Sequence, residues 1–349
     1  MKANATPSRK REHVELTVHN NVAFRAKTPG FERWEFVHNA LPEINLSDVN
    51  TTTMLFAKKL SFPFMISCMT GGYKEAEKIN RELAEVCEEF HLAMGVGSQR
   101  QALEDSRYHS SFSVARKAAP SIPLVGNIGA AEVAQLKDVS KIVKLAELIR
   151  ADAFAVHLNP LQEFLQPEGN TNFRGVLHGI EKLVKGLPIP VIVKEIGAGI
   201  SAEVALRLVN IGVTYIDVAG AGGTSWAGVE ILRRKKNEQK ALHPFWDWGI
   251  STVDAIQEVV LMKEQFPRLT VIASGGMTSG LDCAKAIAFG ADLTASARPM
   301  IKILMENGKK ELHKKINQWM TEMKGAMFLI GASTIEELQN TTRLQKIEP

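Results

Sequence analysis

From Phe64 onward the sequence alternates short apolar runs with amphipathic helical stretches, and this repetition restricts the possible folds more than any other feature. The apolar runs fall at 64–69, 92–96, 122–127, 152–158, 190–195, 213–218, 269–274 and 291–296. Helical patterns follow them at 75–90, 110–119, 138–150, 173–185, 201–211, 252–265, 278–289 and 299–331. Strands alternating with helices predict parallel βα units. Repeated over most of the chain, they predict an α/β fold, the (β/α)8 TIM barrel, whose usual size is about 250 residues. A doubly wound open sheet would carry a Gly-x-Gly-x-x-Gly turn after its first strand, and none follows the run at 64–69. Residues 1–62 read as an N-terminal extension wrapped on this scaffold, and 63–349 as the barrel with its C-terminal helices.

Composition narrows the setting. With 45% hydrophobic and 23% charged residues the chain belongs among soluble globular proteins. No apolar run approaches the ~20 residues needed to cross a bilayer, so no membrane is expected. The opening Met1-Lys2-Ala3-Asn4 leads into charged residues without a signal-peptide core, which predicts a cytoplasmic protein. Cys68, Cys87 and Cys283 are far apart in hydrophobic or helical contexts and read as core residues. A formal net charge of +4 gives no reason to expect nucleic acid, although an anionic small molecule needs only a few of the basic residues. A helix starting near Thr6-Pro7 would place Arg9 and Lys10 within one turn of His13.

Polar and glycine signals cluster after the predicted strands. They are Thr70-Gly71-Gly72, Gly97-Ser98-Gln99-Arg100, Asn127, His157 to Glu163, Lys194-Glu195, Gly220 to Trp226, Ser274-Gly275-Gly276 and Ala297-Arg298. In a barrel these are the loops of the C-terminal face, where active sites are built. After the fourth strand, His157 and Asn159 share one face, and Pro160 turns the chain so that Gln162 and Glu163 follow from a loop or first helical turn. Ser274-Gly275-Gly276 and Ala295-Ser296-Ala297-Arg298-Pro299 let backbone N–H groups and a helix N-terminus approach an anion, and together read as a phosphate cradle; either alone could be a tight turn.

Lys194 at a strand end needs an anionic partner. That partner is either a neighbouring carboxylate, Glu195 or Asp217, or a ligand. If the cradled phosphate belongs to a flavin mononucleotide, Lys194 faces the pyrimidine edge of the ring; a Schiff-base lysine is a third reading. Thr70-Gly71-Gly72 and Asn127 would close a flavin from the other side, or be ordinary turn residues. The glycine-dense 220–226 loop ends in Trp226, a lid over an apolar substrate or a packing anchor.

These residues also carry a likeness. Arg9-Lys10 with His13, Phe36 to Glu43, Met69-Thr70-Gly71-Gly72, Gly97 to Arg100, His157 to Glu163 with Gln166-Pro167-Glu168-Gly169, Lys194-Glu195, Ala221 to Trp226 and Ser274-Gly275-Gly276 together resemble the type 2, FMN-dependent isopentenyl-diphosphate isomerases. Asn170 and Ala295-Ser296-Ala297 depart from the expected pattern. The resemblance implies interconversion of isopentenyl and dimethylallyl diphosphate on reduced FMN, with Mg2+, with NAD(P)H as reductant, and in a homotetramer or homo-octamer.

Carried onto this chain, the resemblance assigns the substrate to Arg9, Lys10, His13, Ser98, Arg100, His157, Asn159, Gln162 and Trp226. It assigns FMN to Met69, Thr70, Gly71, Gly72, Ser98, Asn127, Lys194, Thr224, Gly275, Gly276, Ala297 and Arg298. Glu163 would ligate Mg2+, and Gln162 would assist reduced FMN in proton transfer. A 2-hydroxyacid oxidase on the same barrel would need a histidine base after the sixth or seventh strand, and the 220–226 and 274–276 segments carry none. A non-catalytic flavin- or phosphate-binding barrel is the remaining alternative. Exposed apolar residues at Phe24, Phe31, Trp34 and Phe36 would be covered by assembly.

Overall fold

The computed structural model describes residues 5–347, with side chains from Ser8. Three short strands precede the main sheet: β1 (Trp34–Phe36), β2 (Thr53–Leu55) and β3 (Lys58–Leu60). The next eight are β4 (Phe64–Ile66), β5 (Ala93–Gly95), β6 (Leu124–Gly129), β7 (Ala153–His157), β8 (Val191–Lys194), β9 (Tyr215–Asp217), β10 (Thr270–Ser274) and β11 (Leu293–Ser296). They close into a parallel barrel, and β12 (Leu344–Lys346) pairs back antiparallel on β1. Each of the eight predicted apolar runs overlaps one barrel strand, and β6 runs two residues past its predicted end, to Gly129. The predicted 299–331 helix is two helices, Arg298–Asn307 and Lys309–Ile330, broken at Gly308, whose φ of 84° is open to glycine. The 252–265 stretch is α-helical only to Val260 and continues as a 3-10 turn. The first residues of the sequence, Met1 to Asn4, lie outside the described residues.

Two layers of apolar side chains make the core. Outward-facing strand residues such as Phe64, Phe154 and Val271 meet the surrounding helices, while Met65, Val125, Ala155, Ile192 and Ile272 fill the lumen. The β2–β3 hairpin plugs the floor, with Leu55 and Leu60 in the luminal cluster and Phe56 against Tyr215 at 5.1 Å between ring centroids.

The N-terminal segment is covered by its own chain, which corrects the expectation drawn from its aromatics. Phe31 is buried, Trp34 stacks edge-on against Phe289 at 4.9 Å, and Phe36 packs on the same core. The helix Ala5–His19 lies across the C-terminal face, buries Val14 and Val18, and is held by Arg298, which donates to Thr17 O at 2.7 Å and to Asn20 O at 3.0 Å. No described helix is long and apolar enough to cross a membrane.

At the opposite face one buried network fixes the strand starts. Arg116 donates to Ala119 O, Ile122 O and Arg150 O and pairs with Asp152 at 2.6 Å, while Asp152 also accepts from Leu124 N and pairs with Lys58 at 2.7 Å. Removing the guanidinium strands those carbonyls and half of the ion pair. Arg116→Met is expected to cost about 3–5 kcal/mol in a denaturant titration, with the residues of the C-terminal face in place once folded.

Candidate active site

Barrel closure brings the C-terminal strand ends into one ring, and the N-terminal helix crosses above it. Two cavities result. The smaller, about 130 Å3, is lined by Arg9, Lys10, His13, Ser98, Arg100, His157, Asn159, Gln162, Glu163 and Trp226, with Met69, Gly71, Asn127 and Lys194. The larger, about 370 Å3, is lined by Met69, Lys194, Thr224, Trp226, Gly275, Gly276, Ala297 and Arg298. Cys68, Met69, Lys194, Ile196 and Trp226 belong to both, so the cavities share a wall. Thr70 and Gly72 line neither. The Thr70 hydroxyl donates to Asn80 Oδ1 in the interior, and Gly72 backs onto Lys10, where a Cβ would lie 2.7 Å from Nζ.

The smaller cavity is cationic where the N-terminal helix meets the barrel. Lys10 Nζ donates to Ser98 O at 2.5 Å. Burial, helped by neighbouring Arg9 and Arg100, pulls Lys10 down to about 7. Arg100 pairs with Glu132 at 2.9 Å and Glu104 at 3.2 Å. His157 Nδ1 donates to Asn127 Oδ1 at 2.9 Å, and burial beside Lys194 and Lys10 holds the ring neutral, down to about 3. In that tautomer Nε2 presents a lone pair; donating to an anion requires the Asn127 amide to turn over, a choice an amide–imidazole pair leaves open.

The acidic side is organised by a residue that the sequence reading missed. Glu230, in the helix Trp226–Arg233, has 0% exposure. It accepts from Gln162 Nε2 at 2.9 Å and Arg233 Nη1 at 2.7 Å, and His13 Nε2 stands 2.9 Å away as an ion-pair contact off the hydrogen-bond line. Burial raises such a carboxyl, but these partners outweigh it and hold Glu230 below its ordinary value. Gln162 Oε1 in turn accepts from Asn159 Nδ2 at 3.1 Å, which also donates to Glu163 Oε1 at 3.0 Å. The signal available in sequence was a lone acid four residues after Trp226, within an apolar run that ends at Arg233.

The larger cavity has the features of an anion cradle. Gly275 has φ of 108°, and a Cβ there would meet Gly220 O at 2.2 Å; Gly276 has φ of 67°. The helix Arg298–Asn307 begins at the cavity with Pro299 in its first turn, so its positive end lies at the space. The Arg298 guanidinium is committed to the N-terminal helix. Cys68 corrects the expectation of three core cysteines: Cys87 and Cys283 are buried among apolar helices, whereas Cys68 stands on the shared wall, its thiol pushed by burial up to about 11.

Because Lys10 is charged below about 7 and neutral above it, its attraction for an anion is present at low pH and fades as pH rises through that value. Diphosphate affinity relative to a Lys10→Arg variant should fall about tenfold between pH 6 and pH 8 in isothermal titration, and a constant ratio would remove Lys10 from the anion site.

Comparison with known proteins agrees with this geometry. The family model of FMN-dependent dehydrogenases matches residues 3–118 and 150–345. The isopentenyl-diphosphate delta-isomerase of Chlorobium phaeobacteroides is 46% identical over 97% of this chain and 95% of its own length. That of Nostoc sp. is 40% identical over 98% of this chain and 97% of its own. Among solved structures, lactate oxidase of Pediococcus acidilactici superposes with TM-score 0.71 at 17% identity, covering 99% of this chain and 95% of the other. The flavin-binding domain of baker's yeast flavocytochrome b2 gives 0.68 at 18%, covering 94% and 80%; these two establish the barrel alone. The full-length identity, together with the matched family model, makes this chain a member of the type 2, FMN-dependent isopentenyl-diphosphate delta-isomerases.

Proposed function

We propose that the chain interconverts isopentenyl and dimethylallyl diphosphate with FMN in the larger cavity, the diphosphate in the smaller and Mg2+ between the diphosphate and Glu163. The observation that carries this reading is the wall shared by a cationic pocket and a glycine cradle, which would bring two anionic ligands edge to edge. The residues fit FMN: a volume of about 370 Å3, two positive-φ glycines, a helix start for the phosphate and Lys194 for the pyrimidine edge. A single carboxylate suits Mg2+, which takes one or two protein carboxylates and completes its shell with phosphate oxygens and water. Among the described residues no group of three or more His, Cys, Asp and Glu forms a protein metal cage.

Moving a double bond by protonation and deprotonation develops tertiary carbocation character. Reduced FMN supplies an electron-rich ring that stabilises adjacent positive charge and a proton at N5. The chain does the rest. Arg9, Lys10 and Ser98 fix the diphosphate, His157 and Asn159 bound its other side, and Trp226, edge-on to His13 at 5.4 Å, closes the junction against water. Gln162, locked between Asn159 and Glu230, offers its amide oxygen or a held water for the second proton. NAD(P)H serves only to bring the flavin to its reduced state, since isomerisation leaves the substrate's oxidation level unchanged. Assembly into four or eight copies is part of the reading, and sedimentation would give the number.

The test is anaerobic isomerisation by purified protein with a flavin spectrum, with and without reductant and Mg2+; activity without reduced flavin would overturn the reading. Glu163→Gln is expected to raise the Mg2+ concentration for half-maximal rate at least about tenfold while leaving the bound-FMN absorbance intact, and an unchanged requirement excludes this ligand. Gln162→Asn, one methylene short of Glu230, should lower kcat by about 10²-fold, whereas near-normal turnover would remove Gln162 from proton transfer.

A further inference from the structure

Beneath the shared wall lies a carboxylate that no step above uses. Asp217 ends β9 and has 0% exposure. Its Oδ1 accepts from Ser274 Oγ at 2.5 Å and from Ala219 N at 3.2 Å. Its Oδ2 has no hydrogen-bond partner, and Lys194 Nζ stands 3.9 Å from it. Lys194 instead donates to Glu195 O at 2.5 Å. The spacing is built into the barrel, because Lys194 and Asp217 are register partners across β8 and β9. Lys194 and Ser274 both line the larger cavity, so Asp217 sits one layer behind it, linked to it by a charge and by a hydroxyl.

A buried carboxylate oxygen without a hydrogen-bond donor is costly to keep ionised, and here burial pushes the carboxyl up while Lys194, Ser274 and Ala219 act against it. At 3.9 Å the ammonium acts on it through charge rather than through a hydrogen bond. We propose that Asp217 is a charge-compensating residue for the flavin, offsetting Lys194 so that the pyrimidine edge of bound FMN meets a nearly neutral pair. The inference rests on the FMN reading given above. Its chemical sense follows from the reaction: an uncompensated lysine would draw electron density toward the pyrimidine edge, whereas a ring that must stabilise a neighbouring carbocation has to stay electron-rich. Asp217 makes no contact with substrate or reacting atoms; it acts through Lys194 and through the field.

Sulfite is a suitable probe. Its sulfur lone pair forms a bond to N5 of the oxidised ring, and the displaced electron pair becomes negative charge at the pyrimidine edge, so its affinity reports the local charge. Asp217→Asn is nearly isosteric, and Asp217→Ser makes the same charge change without placing an amide N–H beside the ammonium. In both, FMN content should be retained and the sulfite dissociation constant should fall about tenfold or more. The two-electron midpoint potential should rise by about 30 mV for each tenfold change. The tightening should be alike in the two variants, whereas a role limited to positioning Lys194 would make them differ, because Asn keeps the shape of the side chain and Ser does not. Unchanged sulfite affinity and potential in FMN-loaded variants, or tightening in Asp217→Ser alone, would overturn the proposal while leaving the FMN reading standing. Wild-type protein that binds no FMN would instead overturn the reading beneath it.

Discussion

A carboxylate withdrawn from water must be surrounded by compensating partners, and at Glu230 these come from three separate parts of the chain. His13 arrives on the N-terminal helix, Gln162 from the turn after β7, and Arg233 from the same helix as Glu230. Arg233 extends the network outward to Glu12 and Glu168. Removing the carboxylate would leave a buried guanidinium and an unanchored amide. The cationic pocket therefore depends on this acid, although the acid itself is not in it: the position of the helix carrying Arg9 and Lys10 follows from where Glu230 sits.

The neighbours in structure and in sequence separate scaffold from chemistry. Lactate oxidase and the flavocytochrome b2 domain share the barrel at under a fifth identity, while the isomerases share nearly half of all residues. A fold hosts unrelated reactions, and only the site decides between them. The 220–226 and 274–276 segments carry glycine, threonine, serine and tryptophan, without the histidine that abstraction from a hydroxyacid requires. The smaller cavity carries a neutral polar pair, Asn159 with Gln162, beside one carboxylate at Glu163.

Much of this was legible in the chain because periodicity and position carry it. The eight barrel strands stand as apolar runs, and the residues after them, His157 to Glu163 and Gly275-Gly276, are chemically out of place in a core. Other features had no local signal. Glu230 looks like one acid in a helix, and its burial is decided by the arrival of His13, 217 positions earlier by number. The β2–β3 hairpin turns on Phe56 and Ala57 at φ of 48° and 60°, residues that do not announce a tight turn. The aromatics at Phe31 and Trp34 suggested an exposed surface because composition cannot reveal that Phe289 and the 280–288 helix lie beneath them. Gly308 was read through because one glycine inside an apolar period is compatible with a continuous helix.

Arg298 opens the helix that faces the larger cavity and spends its guanidinium on the last carbonyls of the N-terminal helix, Thr17 and Asn20. Thr17 O lies in the last turn, the negative end of that helix, and Asn20 O just beyond it. One side chain thus ties the floor of one pocket to the roof of the other. A ligand that fixed this joint from one pocket would fix it for the other, and any such coupling would be equal in both directions.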